Sequence, residues 1–364
     1  MEAKSAPKVR PSCVVPLEFL NAKVRGRRSQ LYEGPRLQQL SRERTIGDLS
    51  RRLYPNEGIP DPLSLERRLL RGCVGDLSFL GFFLGEPYQA FYSALLDRYP
   101  VENLKVLLRL FTQEPESVGP GSRPAEKREA QEAIADELLL DLPRGPSLPA
   151  RELLRSAQVD EFVARIPLWT VRACAKKALP LYHEGRRRAY LEMAFDQGYW
   201  LSVWESLARL PAGERRECSA PLQCEFDAMR LLGTLRAAGT YGLPWDEWES
   251  VLPAGQGGIS TSTLRSIHAR PDLEHVGRAV RWAKAALDRY LRPEDAPDLG
   301  RLEEVLWRET VSLANRQHYA SVSASAALVS YFYLKREELR RLLGLTQMLR
   351  YGKAENEVSA YLEQ

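Results

Sequence analysis

The residues best suited to chemistry are a cluster of cations near the N-terminus, the cysteines and histidines, and a few carboxylate pairs. Lys23, Arg25, Arg27 and Arg28 place four positive charges within six residues. Guanidinium groups at that density suit acidic partner loops or lipid headgroups, and equally suit a solvated helix face. Five cysteines (Cys13, Cys73, Cys174, Cys218, Cys224) include no CxxC pair and are odd in number, a pattern expected of reduced thiols in a reducing compartment. His183, His268, His275 and His318 are too scattered to suggest a metal cluster. Glu303-Glu304 and Glu337-Glu338 fall in charged helical sequence, where solvation is the default. There is no GxxxxGKS/T loop, no GxGxxG after a strand and no HExxH. Gly255-Gln256-Gly257-Gly258 runs into Ile259-Ser260-Thr261 without a preceding strand, so it reads as a loop and not as a phosphate cradle. These patterns predict no catalytic residue, no cofactor-binding residue, no metal ligand and no small-molecule substrate.

The elements that would carry these residues are helices. A length of 364 residues with 44% hydrophobic content supports two or three modest domains with real cores. No run approaches the ~18 apolar residues of a membrane helix, and residues 1–16 read as a disordered tail on a cytoplasmic protein. No stretch alternates with a two-residue period, so the chain is expected to be all-α. Apolar residues at helical spacing mark an opening helix over 17–31, helices near 150–165, 168–183, 186–209, 221–237, 276–290 and 302–317, and a final helix of roughly 24 residues beginning near Ala326. Thr45 with Asp48 forms a capping-box-like start. Phe79 to Gly85 is an apolar bend, Gln113 to Pro149 a Pro/Gly-rich linker, and Pro253 to Thr263 a surface insertion. The seven tryptophans stand mostly at helical spacing from aliphatic residues and are expected in the core.

A plan repeats at intervals of about 110 residues, longer than common solenoid repeats: a long amphipathic helix, a glycine turn and a short acidic helix. Leu231 to Leu252 reads LLGTLRAAGTYGLPWDEWESVL, and Leu342 to Leu362 reads LLGLTQMLRYGKAENEVSAYL. Glu102-Asn103-Leu104 occupies the corresponding helix of the first block. The expected domains are 17–113, 114–238 and 239–364.

Two segments carry a family resemblance. YFYLKREELRRLL, with Lys335 and the acid pair that follows, resembles the last long helix of the stalk C-subunit family of V/A-type rotary ATPases, whose eukaryotic counterpart is the d-subunit family. EFLNAKVRGRRSQLY, from Glu18 to Tyr32, resembles that family's opening helix. The resemblance implies three similar helical domains around a pseudo-threefold axis, a funnel or wedge with a central socket. It implies a non-catalytic rotor component without a cofactor, peripheral to the membrane on its cytoplasmic face. Its partners would be the proteolipid ring and the central shaft subunits, and not nucleic acid, and it would transmit torque for ATP-coupled ion transport. Carried over by the motifs as partner-binding positions are Asn21, Arg25, Arg28, Asn103, Lys335 and Glu337. Where the family often has Asn in all three long helices, Arg230 and Arg341 stand here. The alternative reading is a soluble all-α scaffold or an Arg-rich nucleic-acid binder, since a net charge of +4 is too weak to decide by itself.

Overall fold

A computed structural model describes residues 16–59, 61–113, 124–140, 148–185, 187–290 and 298–363. The expected N-terminal tail, apart from Pro16, and residues 114–123 and 141–147 of the expected 113–149 linker lie outside these residues; between them the linker carries a helix, Pro124–Leu138. The helices are, in order, α1 (Leu17–Arg28), α2 (Gly34–Gln38), α3 (Ile46–Leu53), α4 (Pro62–Leu80), α5 (Tyr88–Leu96), α6 (Arg98–Thr112), α7 (Pro124–Leu138), α8 (Ala150–Leu154), α9 (Val159–Ala164) and α10 (Trp169–Gly185). They continue as α11 (Arg188–Leu207), α12 (Ala212–Gly239), α13 (Trp245–Val251), α14 (Thr261–Ala269), α15 (Leu273–Ala279), α16 (Arg281–Tyr290), α17 (Leu299–Ala320), α18 (Ala324–Arg350) and α19 (Glu355–Glu363). No strand occurs among the described residues, and the fold is all-α. No helix among them is long and apolar enough to cross a membrane.

Local chemistry sets most boundaries. Thr45 accepts from the Asp48 N–H at 3.1 Å as the capping pattern requires, and Asp61, Ser260, Asp272, Asp298 and Ser323 cap their helices in the same manner. The structure departs from the expected spans in three places. The helix expected over 150–165 is two, because Glu161 turns back to accept from the Ala157 N–H at 2.6 Å and starts α9 afresh. The helix expected over 276–290 breaks where Val280 is extended, between α15 and α16. α12 begins well before Pro221 and carries that proline in its interior, losing one backbone hydrogen bond there.

The loop after α13 is also no simple surface insertion. The Asp227 carboxylate on α12 accepts from the Gly258 N–H at 2.7 Å and the Ile259 N–H at 3.3 Å, and Arg230 donates to the Ile259 carbonyl at 2.8 Å. A side chain at Gly255 would collide with Trp204, and one at Gly257 with Asp227. Glycine is needed here for close approach, and the loop is latched onto α12. Beneath it Trp200 and Trp204 stack at 5.5 Å, and Phe226 meets both edge-on. Trp200, Trp204 and Trp248 are core residues as expected, whereas Trp169 is 61% exposed.

Candidate functional site

Three long helical segments, α5–α6, α12 and α18, run side by side in one direction, joined in two layers. In the first layer the Glu214 carboxylate accepts from the Tyr88 hydroxyl at 2.8 Å, from Ser323 at 3.4 Å and from Ser325. In the second, Glu225 accepts from Arg336 at 2.9 Å and from the Tyr333 hydroxyl at 2.7 Å, and pairs with Arg98 at 3.0 Å. The layers lie ten or eleven residues apart on each segment, roughly 16 Å of helix. One end of the bundle is thereby closed. Beyond Glu225 the helices bound a depression of about 950 Å³, to which α11 and α17 also contribute.

Arg98, Glu225 and Arg336 each stand five residues before Asn103, Arg230 and Arg341, so the floor is built from the same position of each long helix. Further stripe positions follow at intervals of four, three and four residues, one face of a helix. They are Glu102, Met229 and Arg340; then Lys105, Leu232 and Leu343; then Arg109, Arg236 and Gln347. The last set makes a relation that closes on itself. Arg109 of α6 pairs with Glu192 of α11 at 2.9 Å, Arg236 of α12 with Glu303 of α17 at 2.5 Å, and Gln347 of α18 donates to Glu66 of α4.

Burial divides these charges. Glu225 is only 8% exposed; burial works against its charge, but Arg336 and Arg98 outweigh it and hold the carboxyl down to about 2. Lys105 is clamped between Asp196 at 2.6 Å and Glu102 at 3.2 Å. Burial pushes Asp196 above the ordinary carboxylate range in spite of Lys105. The rim pairs face water. With its carboxylates engaged by cations, this arrangement holds the helices in shape. Among the described residues no group of His, Cys, Asp and Glu could hold a metal ion.

The six positions singled out in the sequence lie elsewhere, and none lines the depression. Three come together where α1 crosses the α17–α18 junction. The Asn21 amide donates to the Val322 carbonyl at 2.6 Å and accepts from Arg25 at 2.9 Å; Arg25 also donates to the Ser321 carbonyl at 2.7 Å. Arg28 donates to Asn315 and stacks on Tyr319. Burial, then the nearby Arg28 and Arg25, hold the neighbouring His318 down to about 4. Lys335, partly buried, lies between Glu338 at 2.6 Å and Asp76 at 2.9 Å; burial opposes its charge, yet those carboxylates raise its pKa above that of an ordinary lysine. Glu337 accepts from the Trp307 indole and from Arg341, each at 2.5 Å. The remaining cations of α1 are also engaged, Arg27 with Asp76 at 2.6 Å and Lys23 over the rings of Phe19, Phe79 and Phe83.

Asn103 exchanges both amide hydrogen bonds with the Leu140 backbone at 2.9 Å. Arg230 donates to the Ile259 carbonyl at 2.8 Å and Arg341 to the Leu362 carbonyl at 3.0 Å. All three side chains tie a long helix to the chain at or beyond the helix that follows it, the two arginines with a longer arm than the asparagine. The LLG pattern has a matching cause. A Cβ on Gly233 would lie 3.0 Å from the Trp248 ring of α13, and one on Gly344 would collide with Tyr361 of α19. The turns between use Gly242 at φ +58 and Gly352 at φ +63. In α6 the equivalent of these packing glycines is Val106.

Sequence reasoning missed Arg98, Glu225, Arg336 and the recurring rim pairs. The available signal was the 111-residue spacing of Glu192 from Glu303 and of Glu225 from Arg336, in register with the LLG repeat. A family model described as ATP synthase (C/AC39) subunit matches residues 20–361. A protein of Treponema pallidum (strain Nichols), described as an uncharacterized protein, is 26% identical over 356 residues, covering 92% of this chain and 93% of that one.

Proposed function

Because the chain belongs to the ATP synthase (C/AC39) subunit family, we propose that it is the central connector of a rotary V/A-type ATPase, joining the membrane proteolipid ring to the shaft and carrying torque between them. In this reading the chain performs no chemistry of its own, and three similar domains, 17–113, 114–238 and 239–364, surround a pseudo-threefold axis. The observation that carries the reading is a depression walled by three parallel helices, closed at one end by Glu225 and Glu214 and open at the other. A rod can seat in the open end. The closed end carries exposed Phe19, Phe82, Tyr319 and Val322, apolar surface suited to a broad footprint on the ring. Torque requires stiffness, and close-packed helices tied by buried charge supply it. Asn21, Arg25 and Arg28 would then serve this function indirectly, by fixing α1 against the closed end. Asn103, Lys335 and Glu337 would do so by holding the long helices in place.

Sedimentation with the detergent-solubilised proteolipid ring at physiological salt tests the proposal, with and without shaft subunits. One copy per ring, retained on washing and able to recruit the shaft, is the expected result. A chain left unbound beside an intact ring would overturn it.

A further inference from the structure

We propose that the depression is keyed: it seats an amphipathic α-helical end in a single rotational orientation, with the polar side toward α6 and the apolar side toward α12. This rests on the connector reading and specifies which surface of the shaft the socket fits.

The three wall helices offer the same stripe positions but different chemistry. Halfway up its wall α6 presents Glu102 and Lys105, with Lys105 held by Glu102 at 3.2 Å and by Asp196 of α11 at 2.6 Å. At the same height α12 presents Met229 and Leu232. α18 presents Leu343 beside Arg340, which is bound to Glu304 of α17. The α6 wall is therefore an ion cluster, the α12 wall carries thioether and isobutyl groups, and the α18 wall is mixed, an arginine–carboxylate pair beside one leucine. A helix with its side chains, about 10–12 Å across with a 5.4 Å pitch, fills roughly 500 Å³ per turn. A depression of about 950 Å³ thus has room for at least one such turn.

Turning such an occupant by a third of a revolution in one sense would press its apolar side onto the Lys105 cluster, and in the other its polar side onto Met229 and Leu232. The first contact strips water from charged groups and the second buries polar groups without partners, so both are unfavourable. Discrimination comes from the misfit of the wrong seats as much as from the fit of the right one. Three identical walls would offer three equal seats, and a rod turning under load could slip among them. The difference between walls gives the joint a rotational lock.

Single cysteines at three equivalent rim positions, Arg109→Cys, Arg236→Cys and Gln347→Cys, test this in the full chain. Cys13→Ser is included throughout, since the other cysteines are buried. Each variant is mixed with the shaft subunit bearing one cysteine on the polar side of its seated end, and disulfides are formed with a mild oxidant. The yield at 109 should exceed those at 236 and 347 by roughly tenfold. Moving the shaft cysteine to the apolar side should reverse the order, which removes any bias from the local geometry of one cysteine. The combination Glu102→Met, Lys105→Leu and Asp196→Leu, which writes the α12 pattern onto α6, should retain the shaft while levelling the yields at 109 and 236. Equal yields in the otherwise unaltered chain would overturn the keyed seat and leave shaft binding standing. Failure of the unsubstituted chain to co-sediment with the shaft would overturn the connector reading instead.

Discussion

The floor and the rim of the depression are built from the same chemistry, arginine against carboxylate, at matching positions of the long helices, with Gln347 standing in for an arginine at the rim of α18. On the floor Glu225 is removed from water and shared by Arg98 and Arg336. At the rim Arg236 and Glu303 are 42% and 55% exposed, and Arg109 is 53% exposed beside Glu192. Buried, the carboxylate cannot be removed without stranding two guanidinium groups in a poorly solvated site. Exposed, each partner has water as an alternative, and the pair is worth little. The comparison teaches that the repeat preserves geometry, while depth decides which copies of a contact hold the three long helices together.

The strongest attempt to break that distinction is Glu225→Ala. It should cost about 3–5 kcal/mol, read as a lowered urea midpoint with an unchanged m-value. A loss under about 1 kcal/mol would place the floor in the same class as exposed pairs. Acid titration gives a second, graded comparison. The folded-state pKa of Glu225 lies near 2, below the ~4.3 of an unfolded glutamate, so between these values the unfolded chain binds more protons. The stabilisation is fully present above about pH 4.5 and is lost as pH falls toward 2. Glu225→Ala should therefore flatten the stability profile over that window. The smallest effect belongs to the rim itself. A double-mutant cycle on Arg236→Ala and Glu303→Ala should give a coupling of about 0–1 kcal/mol that shrinks further at high salt.

Much of the architecture was legible because it is local. The all-α fold, the helical hairpin at the C-terminus and the repeat between 231–252 and 342–362 follow from apolar spacing and from glycines that only particular positions require. Gly242 and Gly352 mark turns with positive φ, and Gly233 and Gly344 are the receiving sites for Trp248 and Tyr361. The candidate site was less legible. Arg25, Arg28, Lys335 and Glu337 drew notice as charged residues within recognisable motifs, and in the fold they are engaged within the chain. The four cations on α1 looked like an available surface because periodicity reports which face of a helix is polar and not what stands opposite it.

Helix, cap, turn and the repeated order of long and short elements depend on neighbours along the chain and can be read from residue order alone. Which charges meet depends on how the helices pack. Glu225 and its two arginines stand more than a hundred residues apart, and nothing local distinguishes them from solvated side chains. Their effect arises when three helices exclude water from the space between them, because the strength of a charge pair is set by its surroundings as much as by its members.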